Sequence, residues 1–146
     1  MAPIDSQPGT NPMSSSASRV AFVCLHGSAK SVLAAEYLNR VARERGVRMS
    51  ATASGREPDD EIPPNVVEGL RARGYDVGGR KPVPATAQRF SDADVVVSFG
   101  CDLDGLVPGT RTIELWSACP AVSDDFEAAW RFITQRVDRL LETATA

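Results

Sequence analysis

The 146-residue sequence contains few of the residues that bind metals or build disulfide scaffolds. It has one histidine, His26, and three cysteines, Cys24, Cys101 and Cys119, without any Cys-x-x-Cys pair. A structural zinc site usually takes four clustered Cys or His ligands, so we expect neither a metal nor another cofactor. An odd number of widely separated cysteines is typical of free thiols in a reducing compartment, which predicts a cytoplasmic protein.

Excess positive charge and long apolar runs are also missing. The 16 basic and 19 acidic side chains leave a net charge of −3, which provides no field to hold nucleic acid. No window approaches the roughly 20 apolar residues of a membrane span. Residues 1–18 have neither the basic start nor the apolar stretch of a signal peptide, and their Ser, Pro, Asn and Gly content predicts a disordered tail. We therefore expect one domain over 19–146, with no nucleic-acid partner and no membrane partner.

The rest of the sequence alternates short apolar runs with amphipathic segments. The apolar runs predict strands at 20–24, 47–53, 94–99 and 111–115. The amphipathic segments predict helices at 31–45, 64–73 and 126–141. This alternation predicts a three-layer α/β fold in which helices cover both faces of a four-stranded parallel sheet. Ligands bind such sheets at the carboxyl ends of the strands, so the turn after the first strand is the candidate site.

That turn reads Cys-Leu-His-Gly-Ser-Ala-Lys-Ser over residues 24–31. A tight turn of this kind directs backbone N–H groups inward, and the following helix adds its own free N–H donors and partial positive charge. Together they predict an oxyanion-binding loop with Cys24 at its floor, and their field favours the thiolate form of that cysteine. A thiolate beneath a tetrahedral oxyanion is positioned for nucleophilic attack.

The side chains of this turn divide into candidate catalytic and candidate binding residues. Lys30 would add a positive charge and Ser31 a hydroxyl that stabilises the sulfur of Cys24, so these three are the catalytic candidates. The anion-binding loop comprises Leu25, His26, Gly27, Ser28, Ala29 and Lys30. Each catalytic candidate has a structural alternative, as a small buried apolar residue, a solvated lysine and a helix cap respectively. His26 either contacts the substrate or points to solvent.

The pattern Cys-x5-Lys-Ser after a valine-rich strand, followed by Ala34-Ala35-Glu36, resembles the phosphate loop of low-molecular-weight protein tyrosine phosphatases and of the arsenate reductases that share their fold. The small residues Ala53-Ser54-Gly55 after the second strand and the segment 92–97 at the third extend the resemblance, which covers 19–141. The resemblance implies their fold. As the preferred activity it implies hydrolysis of a phosphate monoester, on a small molecule or a protein, through a phosphocysteine at Cys24.

Two positions in the loop depart from the pattern of that family. Lys30 stands where the family has an arginine, whose planar fork would hold two phosphate oxygens at once. Gly27 stands where the family has an asparagine, and glycine readily takes the positive φ that asparagine tolerates. We expect the first change to weaken binding of the transition state and the second to have little effect on the conformation of the loop.

A third departure leaves the general acid open. The phosphatases carry an Asp-Pro pair before the last helix, where the aspartic acid protonates the leaving group. Here Pro120 follows Cys119 instead. Asp124 or Asp125 could supply the proton, although both are equally explained as charges at a helix N-terminus.

These departures keep two other functions open. Arsenate reductases of this fold use additional cysteines to resolve a thiol–arsenic adduct as a disulfide, and Cys101 resembles the site of one of them, with Cys119 as a candidate partner. The loss of the arginine and the acid would instead leave a catalytically weak oxyanion-binding module. Tyr37, Phe90 and Trp116 either line a substrate groove or pack in the core.

Overall fold

The structure, a computed structural model, describes residues 18–103, 105–107 and 112–145. The tail predicted over 1–18 lies outside the described residues, except for Ser18. This residue is the first of the first strand, so the predicted tail ends one residue too late. No helix in the described ranges combines the length and the apolar character needed to cross a bilayer.

The described residues form four strands and four helices. They are β1 Ser18–Cys24, α1 Lys30–Arg45, β2 Met49–Gly55, α2 Pro64–Arg71, α3 Ala87–Ser91, β3 Val95–Ser98, β4 Thr112–Leu115 and α4 Phe126–Thr145. The four predicted strands and three predicted helices are all present, and β2 lies two residues further along than predicted. Helix α3 was not predicted, because its five residues are too few to display a helical period.

The strands form one sheet in the order β2-β1-β3-β4, and every adjacent pair is parallel. The predicted architecture is therefore confirmed. Successive residues of the central strand β1 point to opposite faces of the sheet. Phe22 belongs to a large core shared with α1, α2 and α4, whereas Val23 packs with Phe90 of α3 in a smaller cluster. Because both faces of β1 are buried over 20–24, its sequence there is a continuous apolar run and does not alternate between apolar and polar residues.

The loop that leaves β1 contacts the end of β2 through two glycines. Gly55 is the last residue of β2, not part of a turn beyond it, and it pairs with Cys24. Gly27 has a φ of +64°, and a Cβ built on it would lie 2.5 Å from the backbone nitrogen of Gly55. A Cβ on Gly55 would lie 2.5 Å from the carbonyl carbon of His26. Both clashes involve main-chain atoms, so no side-chain rotation can relieve them.

Beyond β2, the chain continues alongside the same loop. Three backbone hydrogen bonds join them, from Arg56 N–H to the Cys24 carbonyl at 3.2 Å, from Glu57 N–H to the Leu25 carbonyl at 2.7 Å, and from Asp59 N–H to the His26 carbonyl at 3.1 Å. These bonds hold residues 56–59 against the loop and bring an acidic segment to the carboxyl end of the sheet.

We expect the substitution Gly55→Ala to lower the free energy of unfolding by about 1–3 kcal/mol, as overpacking of a filled site does. The added methyl group has no space beside the loop backbone, and Gly55 itself has no positive φ that would add strain. Chemical denaturation followed by circular dichroism measures the change.

Gly78→Ala is the matched control for that measurement. Its backbone also lies outside the positive-φ region, and the nearest atom to a Cβ there is a side-chain oxygen of Asp76 at 3.2 Å. Equal stability of the two variants would contradict the close contact between the loop and β2.

Candidate active site

Cys24 ends β1 at the carboxyl edge of the sheet and is 8% exposed. Its Sγ lies 3.1 Å from the hydroxyl oxygen of Ser31, in the first turn of α1. The backbone N–H of Gly27 donates to the same sulfur at 3.2 Å. The structure thus directs the fully buried Ser31 hydroxyl to sulfur, and no side chain caps the N-terminus of α1. A hydroxyl and an amide are arranged to stabilise negative charge on this sulfur.

A cavity of about 600 Å³ lies above this sulfur. Residues from four parts of the chain line it, within 24–30, 59–66, 99–101 and 121–123. Five of the loop candidates are among them, namely Leu25, His26, Ser28, Ala29 and Lys30. Gly27 contributes its N–H to Cys24 and packs against Gly55, away from the cavity wall. The predicted loop therefore surrounds a space large enough for a small phosphorylated group.

Lys30 is the one lysine or arginine in the described lining of this cavity. It is partly buried at the first position of α1, and among the described residues no acidic side chain pairs with it. The helix N-terminus contributes unsatisfied N–H donors and partial positive charge at the same place. A lysine beside a helix N-terminus favours the binding of an anion.

Asp59 is a cavity residue that the sequence analysis did not single out. Its Oδ2 accepts a hydrogen bond from the hydroxyl of Ser28 at 2.8 Å, and its Oδ1 lies 3.3 Å from Nδ1 of His26. The sequence shows an acidic, proline-rich loop here, but only the pairing of Cys24 with Gly55 places that loop beside the turn. A carboxylate and the only histidine of the chain therefore meet at the cavity.

The two other cysteines differ in their relation to the cavity. Cys101 lines it, and burial raises the pKa of its thiol, an effect that a hydrogen bond with Ser98 opposes. Cys119 is buried outside the cavity lining, where its thiol donates to the Pro120 carbonyl at 3.5 Å. Burial raises the pKa of Cys119 to about 11. The raised pKa favours the protonated thiol at both positions, and only Cys101 lines the cavity together with Cys24.

The two aspartates before α4 lie outside the cavity lining. Asp124 and Asp125 are exposed. The Asp125 carboxylate accepts the backbone N–H of Ala128 at 3.0 Å, which satisfies a free donor in the first turn of the helix. Asp125 had two possible roles, as the general acid or as a charge at the helix N-terminus, and the structure supports the second.

The aromatic candidates are not walls of the cavity. Phe90 is fully buried in the smaller core cluster, and Trp116 packs against Phe22 with ring centroids 5.6 Å apart. The Tyr37 hydroxyl donates to the Asp138 carboxylate at 2.8 Å, and its ring packs edge-on against a tryptophan of α4. Of the two roles left open for these residues, the structure supports packing.

The described residues contain no group of three or more His, Cys, Asp or Glu side chains arranged to hold a metal ion. The described lining of the cavity presents two thiols, an imidazole, a carboxylate and a lysine.

The chain is similar in fold to solved structures of a protein tyrosine phosphatase and of an arsenate reductase. The low molecular weight protein tyrosine phosphatase from T. tengcongensis matches with a TM-score of 0.77 and 17% identity, over 87% of this chain and 99% of that one. The thioredoxin-dependent arsenate reductase of Corynebacterium glutamicum matches with a TM-score of 0.73 and 24% identity, over 91% of this chain and 64% of that one. At these identities the likeness establishes the fold.

Sequence comparison leads to the same group. A curated protein of Halobacterium salinarum, described as "Putative arsenate reductase", is 24% identical over 104 residues, which are 70% of this chain and 73% of that protein. The family model described as Low molecular weight phosphotyrosine protein phosphatase matches residues 19–108, which include the whole loop from Cys24 to Ser31. This match covers more than half of the chain, and the protein therefore belongs to the low molecular weight phosphotyrosine protein phosphatase family.

Proposed function

We propose that this protein is a phosphate-monoester hydrolase that uses Cys24 as its nucleophile. The observation that carries the proposal is the environment of the Cys24 sulfur, which lies under the cavity and is contacted by the Ser31 hydroxyl and the Gly27 N–H. Both contacts stabilise a thiolate before attack and a leaving thiolate after it. Membership of the phosphatase family agrees with this chemistry.

The reaction begins when a phosphoryl group occupies the loop. The backbone N–H groups of the loop and the ammonium of Lys30 bind its oxygens, and the Cys24 sulfur attacks phosphorus as the bond to the leaving alcohol breaks. Water then hydrolyses the phosphocysteine. Apolar side chains, including Leu25, Pro63 and Phe99, line the cavity beside the loop and suit the organic part of a phosphorylated small molecule or protein. The three cysteines are free thiols, and on this ground we place the reaction in the cytoplasm.

We expect the purified protein to hydrolyse p-nitrophenyl phosphate and Cys24→Ser to abolish that activity, because a serine hydroxyl lacks the nucleophilicity of a thiolate. Release of nitrophenolate, followed by absorbance, measures the rate. Cys119→Ala is the control, since this cysteine lies outside the cavity lining. Turnover that survives Cys24→Ser would contradict the mechanism, and phosphate that raises the melting temperature without any turnover would indicate a binding module instead.

We expect Lys30→Gln to lower kcat/KM for the same substrate by about tenfold to a hundredfold, the loss typical of one hydrogen bond to a charged group. Lys30→Arg should raise kcat, because a guanidinium holds two phosphoryl oxygens at once. Lys81→Gln is the matched control, as it removes the same charge from a lysine outside the cavity lining. An effect of Lys81→Gln as large as that of Lys30→Gln would mean that net charge, and not contact, determines the rate.

A second candidate function is thiol-dependent reduction of arsenate. Cys101 favours it, because this thiol lines the same cavity as Cys24, and relatives described as arsenate reductases share the fold. The Cys24 sulfur would attack arsenate and form an S–As bond while one As–O bond breaks and its oxygen leaves as water. The Cys101 sulfur would then attack the Cys24 sulfur to form a disulfide, and arsenic would leave with the electron pair of the S–As bond as arsenite. A thiol reductant must afterwards reduce the disulfide. Burial raises the pKa of Cys101, so this thiol must lose its proton before it attacks.

The reductase candidate predicts that Cys101→Ser abolishes thiol consumption that depends on arsenate, whereas Cys119→Ala retains it. Only Cys101 shares the cavity with Cys24. Loss of thiols is measured with a thiol reagent, in the presence and absence of arsenate. Consumption by Cys101→Ser equal to that of the unmodified protein would remove the resolving role of this residue.

A further inference from the structure

We propose that His26 is the proton donor to the leaving group and that Asp59 holds its ring in position. The proposal rests on the phosphatase function and fills the position that Cys119, before Pro120, leaves without an acid. His26 and Asp59 are 33 residues apart along the chain and meet at the cavity because residues 56–59 run alongside the loop.

The neighbours of the His26 ring determine which nitrogen carries a proton. Nδ1 lies 3.2 Å from the carbonyl oxygen of Glu57 and 3.3 Å from Oδ1 of Asp59. A carbonyl oxygen and a carboxylate can only accept, so Nδ1 is the donor in both the neutral and the cationic ring. Nε2 is then the atom that gains and loses a proton. Among the described residues no hydrogen bond engages Nε2, and the side chain, 54% exposed, lines the cavity.

Asp59 is suited to position the ring and not to donate a proton itself. Its N–H is bonded to the His26 carbonyl, and its Oδ2 accepts from the hydroxyl of Ser28, a residue only 2% exposed. The remaining oxygen, Oδ1, faces the imidazole. With both oxygens engaged by the loop, Asp59 is a positioning residue that fixes the ring plane and its protonated nitrogen.

The other titratable groups of the described cavity lining are less suited to the role. Cys24 is the nucleophile, and Lys30 is the cation that binds the phosphoryl oxygens. Burial raises the pKa of the Cys101 thiol, which makes it a weak acid. Asp124 and Asp125 lie outside the cavity lining. His26 is thus the remaining group of the described lining, with an Nε2 that no hydrogen bond among the described residues engages, to act as the proton donor.

The proton balance closes over the cycle. The S–P bond forms between Cys24 and phosphorus while the P–O bond to the leaving group breaks, and the imidazolium Nε2 gives its proton to that oxygen. The neutral imidazole then takes a proton from the water that attacks the phosphocysteine. Inorganic phosphate and the Cys24 thiolate are released, and the imidazolium is restored.

The test compares two substrates that differ in their need for an acid. Phenyl phosphate has a basic leaving group and p-nitrophenyl phosphate a weakly basic one, so loss of the proton donor should affect mainly the first. We expect His26→Gln to lower kcat for phenyl phosphate by about a hundredfold or more, the contribution of a positioned general acid, with a much smaller loss for p-nitrophenyl phosphate. Equal losses for the two substrates would overturn the proposal.

Asp59→Asn tests the same pair without changing a loop residue. The amide is nearly the same shape but removes the charge opposite Nδ1, so we expect a smaller loss that is again selective for phenyl phosphate. A rise in melting temperature with inorganic phosphate, equal in all variants, serves to show that the loop still binds its anion. A variant that affects both substrates equally, with weaker phosphate binding, assigns Asp59 to support of the loop and overturns its role in positioning the ring.

Asp124→Asn is the matched control, since it neutralises an exposed carboxylate outside the cavity lining. We expect no change with either substrate. A selective loss in this variant would place the acid on the segment before α4 and overturn the proposal. Absence of turnover in the unmodified protein would contradict the phosphatase function itself, whereas equal losses in His26→Gln with an active unmodified protein contradict the role of His26 alone.

Discussion

The close contact between Gly27 and Gly55 is the constraint on which the site depends. Only two residues without side chains allow the loop backbone to lie directly against the end of β2. The contact gives Gly27 the conformation in which its N–H donates to the Cys24 sulfur. It also places residues 56–59 within hydrogen-bonding distance of the loop. The same contact therefore determines the surroundings of the Cys24 sulfur and the position of Asp59 at the cavity.

The sequence predicts the fold well because its strongest signals are local. The apolar run of β1 and the period of α4 each reflect burial of neighbouring residues, and the structure has both elements where they were expected. The α3 helix was missed because five residues carry no such period. The shift of β2 has a similar cause, since small residues such as those of 51–55 carry little contrast between buried and exposed positions.

The candidate site was predictable only in the part that is continuous in sequence. Residues 24–31 form one turn, so their pattern indicates a common function. Asp59 lies 31 residues beyond Ser28 and contacts it because β1 pairs with β2. No local sequence pattern indicates that pairing. The sequence left two roles open for the aromatic residues, because a local pattern indicates burial but not which neighbour a ring packs against.

The sheet separates a larger hydrophobic cluster from a smaller one, and this difference affects where local unfolding begins. The larger core joins α1, α2 and α4 and includes Cys24, whereas the smaller one rests on the short helix α3. Transient local unfolding costs least where few apolar contacts are broken, so it should begin on the α3 side. Within the loop, Cys24 and Ala29 pack with the larger core and not with the α3 cluster. Cys24 therefore lies on the side of the sheet that we expect to open last.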